Sequence, residues 1–273
     1  MGAEGGKEGG WTTMKIDPEI FRELGVRDPE ETKREMAISK RVRQVRKELK
    51  GDPDNIDLQL ELGRLFIDGA EFEEAVKQLR QIIGRDNQNG QAYKLLGTAY
   101  AMSNHEDEAT RELTRAAELL REDPEVHMNL GGVFMLQDMY ESAARSFRKV
   151  IELDPMDRLG YANLAAAYDC DRKYDEEIRV LKKILMFAPE DIELRSALST
   201  AYFNSENYDE ALNHALCVIE LDEKDPQAYC NLGSCYSAQN MIDEAVQAFQ
   251  KASEIAPDYS LPHSLSAHQC SGA

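Results

Sequence analysis

One repeat of 34 residues runs through most of this 273-residue chain. Each copy is marked by a leucine followed by a small residue, at Leu62-Gly63, Leu96-Gly97, Leu130-Gly131, Leu164-Ala165, Leu198-Ser199 and Leu232-Gly233. Successive pairs are always 34 residues apart. A fixed period of this length is typical of architectures in which each unit packs only on its neighbours. The period therefore decides the architecture of residues 56–259.

Each unit reads as two amphipathic helices, because apolar residues recur at three- and four-residue spacings and polar clusters such as Asp68-Gly69 mark a turn. The small residue lets two helix backbones approach closely. Asp123 and Asp225 each precede a proline, which predicts an N-cap with proline in the first turn. The predicted helix pairs are 56–89, 90–123, 124–157, 158–191, 192–225 and 226–259.

Further residues recur in the same frame. An aromatic residue follows the small residue by three positions, as Phe66, Tyr100, Phe134, Tyr168, Tyr202 and Tyr236. Later in the frame come Ala75, Ala109, Ala143, Ala211 and Ala245, and then Pro155, Pro189 and Pro257. This pattern resembles the signature of the tetratricopeptide repeat family. The resemblance implies an all-α, right-handed αα-solenoid of six helix pairs plus an N-terminal capping helix. First helices would line a concave groove, and second helices would form the outer wall.

Several positions depart from that pattern. Glu177 stands where the family has a small residue, and Ala215 replaces a large apolar residue. The terminal proline is replaced in three units, by Asn87, Arg121 and Glu223. We expect repeats four and five, residues 158–225, to pack less tightly than repeats three and six.

The two ends of the chain differ from the repeats. Continued backward, the frame predicts a basic amphipathic helix over 31–55, with apolar positions at Ile38, Val42, Val45 and Leu49. Residues 38–50 can cap the array, or contact an anionic membrane or partner, and the match to the frame favours the cap. Residues 1–30 are predicted to be flexible or irregular, and residues 260–273 to form a short tail or partial cap.

The charge of the chain excludes several classes of protein. The chain has 51 acidic and 32 basic residues, giving a net charge of −19. Nucleic acid repels such a surface, since phosphate binding depends on lysine and arginine. No window approaches the roughly 18 apolar residues of a membrane-spanning helix. The five dispersed cysteines and the lack of an apolar signal region favour a cytoplasmic protein.

Motifs for catalysis or cofactor binding are not found. No phosphate-binding loop, nucleophile elbow or zinc-protease motif occurs in the sequence. The tail contains three candidate metal ligands, His263, His268 and Cys270. Three such residues in a terminal tail seldom bind a metal ion. The sequence therefore predicts no enzyme activity, no cofactor and no metal.

The resemblance also implies which residues line the groove. On the family's concave positions lie Met102, Met128, Met135, Ala166, Phe203 and Cys230. Methionine side chains adapt to apolar partners because they are flexible and polarizable. A broken ladder of Asn129, Asn163 and Asn231 can donate to and accept from the main chain of an extended ligand. Part of this set can instead pack helix against helix.

The family resemblance implies a non-catalytic scaffold or adaptor that binds a partner's helix or extended peptide. The clamp that holds an acidic peptide terminus in other members needs an asparagine where this chain has Arg64, Thr98, Gly132, Ala166, Thr200 and Ser234. We therefore expect an apolar partner with basic flanks. Two alternatives stay open. The chain can self-assemble through its ends into an organelle-surface, secretion or pilus complex, or it can be the adaptor subunit of an enzyme complex.

Overall fold

The computed structural model describes residues 29–257, which form thirteen helices and no strand. The predicted irregular segment up to residue 28 and the predicted tail 260–273 lie outside the described residues. The helices are α1 (Pro29–Gly51), α2 (Ile56–Asp68), α3 (Phe72–Arg85), α4 (Gly90–Met102), α5 (Glu106–Leu119), α6 (Pro124–Leu136), α7 (Tyr140–Leu153), α8 (Arg158–Cys170), α9 (Tyr174–Leu185), α10 (Ile192–Asn204), α11 (Tyr208–Leu221), α12 (Pro226–Ala238) and α13 (Ile242–Ile255).

The chain divides into two compact units, one ending at Asn87 and the other beginning at Gln88. In the first unit, α2 packs on both α1 and α3. In the second unit, ten helices form five pairs, and each second helix also contacts the first helix of the next pair. Contacts are thus made between neighbours in sequence, as the repeat predicts. The all-α stack of helix pairs expected from the sequence is confirmed.

The N-terminal helix α1 packs its apolar positions against α2. Val45 is fully buried and Val42 nearly so. Arg41 Nε donates to Glu61 Oε1 at 2.6 Å, and the guanidinium of Arg46 lies 5.4 Å from the centre of the Phe66 ring. The helix ends at Gly51, so residues 52–55, which the sequence places in this segment, connect it to α2 instead.

Small residues set the distance between the helices of a pair. A Cβ atom added to Gly97 would lie 2.5 Å from the Leu113 side chain, and one added to Gly131 would lie 2.5 Å from the Phe147 ring. Contacts this short are not tolerated, so both helix pairs require glycine there. In repeat five the equivalent residue is Ser199, whose buried hydroxyl donates to the carbonyl oxygen of Ala211 at 2.8 Å.

First and second helices begin in different ways. All six first helices of the pairs are N-capped by a side chain, as Asn55, Asn89, Asp123, Asp157, Asp191 and Asp225. The Asp-Pro caps expected from the sequence are confirmed, with Asp123 Oδ1 accepting from the Glu125 amide at 3.0 Å. None of the six second helices has a side-chain cap, and each follows a tight turn.

Every one of these turns contains a residue in the left-handed conformation at the same place in the repeat. These residues are Ala70, Asn104, Asp138, Arg172, Glu206 and Asn240, with φ between 56° and 62°. None of them is glycine. Asparagine and aspartate tolerate this conformation because their short polar side chains bond locally, whereas a long side chain such as that of Arg172 does not gain this compensation.

We predict that Arg172→Gly raises the free energy of unfolding by about 1 kcal/mol, because glycine adopts a φ of 57° without steric cost. Asn104→Gly is the matched control and should change stability by a few tenths of a kcal/mol. Urea unfolding of both variants measures the difference. Equal effects of the two substitutions would contradict the argument.

A buried carboxyl group lies inside repeat four. Glu177 is only 6% exposed, and its Oε2 atom is buried without a hydrogen-bond partner. Burial, with a smaller contribution from the charge of Asp169, raises the pKa of Glu177 to about 8. Five other repeats have alanine at this position, where the two helices of a pair approach each other. An uncompensated carboxyl at such a position destabilises the pair when it is ionised.

The pH dependence of stability follows from this raised pKa. Between about pH 4.5 and about pH 8 the folded chain keeps a proton on Glu177 that the unfolded chain releases, so stability falls as pH rises through this range. Glu177→Ala should remove this fall and stabilise the protein at pH 8 by on the order of 3 kcal/mol. Urea unfolding against pH, with Glu176→Gln as control, tests this; an unchanged slope in Glu177→Ala would refute it.

Candidate interaction surface

The first helices of the second unit present a surface that we call the first-helix face. It has few exposed charged residues, namely Glu125, Arg158, Asp169 and Glu193. It is formed by α4, α6, α8, α10 and α12. Met102 is 55% exposed and Leu136 is 60% exposed, at the ends of α4 and α6. On α8, Leu159, Ala162 and Ala166 are exposed. Large apolar side chains that stay exposed on helices are typical of sites where another molecule packs.

Two of the predicted methionines lie partly in the core. Met128 and Met135 are half-buried and pack against the cluster around Phe147 and Leu164. Met128 also joins neighbouring repeats, because its sulfur accepts from Asn163 Nδ2 at 3.1 Å. These two residues thus stabilise the stack and still expose part of their surface on the first-helix face.

The asparagines of the predicted ladder use their amide groups differently. Asn129 Nδ2 donates to Thr98 Oγ1 at 3.1 Å, and Asn163 Nδ2 donates to Met128. Asn231 Oδ1 accepts from Gln227 at 2.7 Å, while its Nδ2 atom is buried without a partner. One N–H of Asn129 and one N–H of Asn163 are therefore used by the neighbouring repeat. Each of these amides has a second N–H and a carbonyl oxygen, and the oxygen accepts hydrogen bonds.

The remaining predicted residues divide into accessible and inaccessible ones. Ala166 is exposed, and Phe203 is half-buried, with its ring 5.5 Å from that of Tyr208. Cys230 has no exposed surface, and burial raises the pKa of its thiol. The prediction that Cys230 contacts a ligand therefore needs correction. Helices α10 and α12 pack directly on each other, which leaves no room for a ligand beside this short side chain.

Lys94 is a residue whose role the sequence did not reveal. It falls on a groove position of α4, yet it is only 6% exposed. Its Nζ atom lies 2.9 Å from Asp123 and 2.6 Å from Glu125, at the start of α6. Burial opposes the charged form of Asp123, but the hydrogen bond and charge of Lys94 outweigh it and lower the pKa of Asp123. The lysine thus fixes repeat two to repeat three and is not available to a ligand.

We predict that Lys94→Met lowers the free energy of unfolding by about 2 kcal/mol, because it leaves two carboxylates close together without their cation. The pKa of Asp123 is lower in the folded chain than in the unfolded chain. The ionised Asp123 therefore stabilises the protein above the unfolded-state pKa, and this stabilisation is lost as pH falls through the folded-state pKa. Because Lys94→Met removes the cation that lowers the pKa, the stability of the variant should depend less on acid pH. Lys251→Met, which removes a surface ion pair with Glu254, is the control and should have little effect. Urea unfolding at neutral and acid pH tests both points, and equal losses in the two variants would contradict them.

Within residues 29–257, no group of three or more potential metal ligands is placed to hold one ion. The candidate ligands His263, His268 and Cys270 lie outside the described residues. None of the described helices is both long and apolar enough to cross a bilayer.

Models of one protein family match three stretches of the chain, each described as tetratricopeptide repeat. They cover residues 35–116, 124–156 and 226–259, which together are more than half of the chain. No curated protein matches the sequence.

Solved structures with the same fold are found at low sequence identity. MamA from Desulfovibrio magneticus RS-1 is 22% identical, with a TM-score of 0.54, over 61% of this chain and 94% of MamA. YrrB, described as a TPR protein with an unusual peptide-binding site, is 21% identical, with a TM-score of 0.56, over 67% of this chain and 94% of YrrB. The C-terminal part of a TPR repeat-containing protein from Cytophaga hutchinsonii is 14% identical, with a TM-score of 0.63, over 72% of this chain and 79% of that one. With the repeat, the helix pairs and the family models in agreement, this chain belongs to the tetratricopeptide repeat family.

Proposed function

We propose that this protein is a non-catalytic scaffold that binds a helix or extended segment of a partner protein on its first-helix face. The observation that carries the proposal is the exposure of Met102, Leu136 and Ala166 on helices with few charged residues, in a chain with a net charge of −19. In this family the first helices line the ligand groove. The peptide-binding site named for YrrB supports the same use of the fold.

The partner segment that fits this face is apolar with basic flanks. Its apolar side chains pack on Leu136, Ala166 and the exposed parts of Met128 and Met135. Its N–H donors reach the carbonyl oxygens of Asn129 and Asn163. Lysine or arginine flanks are attracted by carboxylates at the margin of the face, namely Glu125, Asp169 and Glu193, which are exposed.

Substituting Ala166 tests this proposal without disturbing the core. Ala166→Arg places a long cation on an exposed position of α8, so it should block apolar packing and repel a basic flank. We expect recovery of the partner in affinity capture from native lysate to fall by about tenfold or more. Thr114→Arg, on an exposed position of α5, is the matched control. Equal recovery with both variants would exclude the first-helix face as the binding surface.

Self-association is the second candidate, favoured by the exposed apolar residues Ile242 (54%) and Val246 (46%) on α13. Light scattering of the pure protein at two concentrations separates the two candidates. If the pure protein is a monomer and affinity capture recovers one stoichiometric partner, the scaffold function is supported. An enzyme activity of that partner would show that the protein is a subunit of an enzyme complex. A concentration-dependent multimer that recovers only itself supports assembly through the ends.

A further inference from the structure

A cavity of about 450 Å³ opens between the second helices of repeats three and four. Glu141, Ala144 and Arg148 of α7 form one wall, and Glu176 and Val180 of α9 form the other. Tyr168 of α8, Lys173 and Arg179 also line it. Its volume is in the range of small-molecule sites in proteins.

The equivalent space in two other repeat junctions is crossed by a glutamine. Gln137 Nε2 donates to Asp107 Oδ1 at 3.2 Å, and Gln137 Oε1 accepts from Thr110 at 3.0 Å. Gln239 donates to Asp209 in the same way, at 2.7 Å. In both junctions the glutamine side chain links the turn before a second helix to the second helix of the preceding repeat.

The junction of repeats three and four cannot form this bridge. Asp171 stands in place of the glutamine, and Glu141 stands in place of Asp107. Two carboxylates only accept hydrogen bonds, so they do not bond to each other. Asp171 pairs instead with Lys173 at 2.7 Å, and Ala144 replaces the threonine. The space that Gln137 fills in the preceding junction is therefore open here.

The cavity also contains an arginine whose charge has no pair. Arg148 Nε donates to the Ala144 carbonyl oxygen at 3.4 Å, but among the described residues no ion pair includes its guanidinium. The other arginine of the cavity, Arg179, is paired with Glu176 at 2.9 Å. The terminal N–H groups of Arg148 are thus available to an anion, beside the half-buried side chains of Tyr168 and Val180.

We propose that this cavity binds a carboxylate carried on a small apolar residue with an adjacent N–H group. The carboxylate pairs with Arg148, the apolar body packs on Tyr168 and Val180, and the N–H donates to Glu141. A doubly charged phosphate fits less well, because Glu141 and Glu176 repel the second charge. The C-terminal residue of a peptide and a free N-acyl amino acid share this chemistry.

Titration of the full chain with N-acetyl-leucine, followed by NMR of the Val180 methyl groups and the Tyr168 ring, tests the proposal. We expect saturable shifts with a Kd on the order of 1 mM, since the cavity is open to solvent. N-acetyl-leucinamide, which lacks the carboxylate, should cause none. A short peptide ending in leucine separates the two sources: tighter binding than N-acetyl-leucine assigns the cavity to peptide termini, and weaker binding assigns it to free acids.

Variants in and beside the cavity complete the test. Arg148→Gln should weaken binding by about tenfold, whereas Arg145→Gln, on the same helix but pointing to Ser142, should leave it unchanged. Asp171→Gln should restore the bridge, so it should abolish binding while the protein stays folded and becomes no less stable. The proposal is overturned if the wild type shows no saturable shift, or if Arg148→Gln and Arg145→Gln bind equally. Neither result bears on the first-helix face.

Discussion

The close approach of two helices at one small residue is the contact on which the rest of the structure depends. In repeat three the space beside Gly131 is filled by the Phe147 ring, so no Cβ fits there. Repeat five has small residues at both of these positions, Ser199 and Ala215, and both are fully buried. The residue on the first helix is small in every repeat. Because this distance is fixed, the turns, caps and faces of successive repeats fall into register.

Two polar residues stand where other repeats have glycine or alanine, and they differ in hydrogen bonding. The Ser199 hydroxyl has a hydrogen-bond partner in repeat five. Glu177 has no such partner for one of its oxygens, which is buried and unpaired. The looser packing of repeats four and five stays a prediction, and each of the two repeats has a buried unpaired atom, in Glu177 and in His214. The open cavity lies at repeat four, where Asp171 replaces a bridging glutamine.

The sequence predicted the elements and the caps because both depend on residues close together in the chain. The 34-residue period predicts the helix pairs, and Asp123 and Asp225, each followed by proline, predict two helix starts. The burial of Cys230 and of Lys94 depends on how one repeat meets the next, which the period alone does not describe. The left-handed turn residues were also missed, because the usual signal for that conformation is glycine and none of the six positions has one.

The distribution of charge connects helix formation to binding. Second helices lack side-chain caps, and all six carry carboxylates in their first turn, as at Glu73, Glu106, Glu141, Asp175, Asp209 and Asp243. These charges stabilise the positive end of each helix dipole. First helices are capped by hydrogen bonds instead, and three of the five that form the first-helix face have no acidic residue in their first turn. The strongly acidic composition is thus concentrated where it stabilises second helices, and an apolar partner can pack on the first helices without removing carboxylates from water.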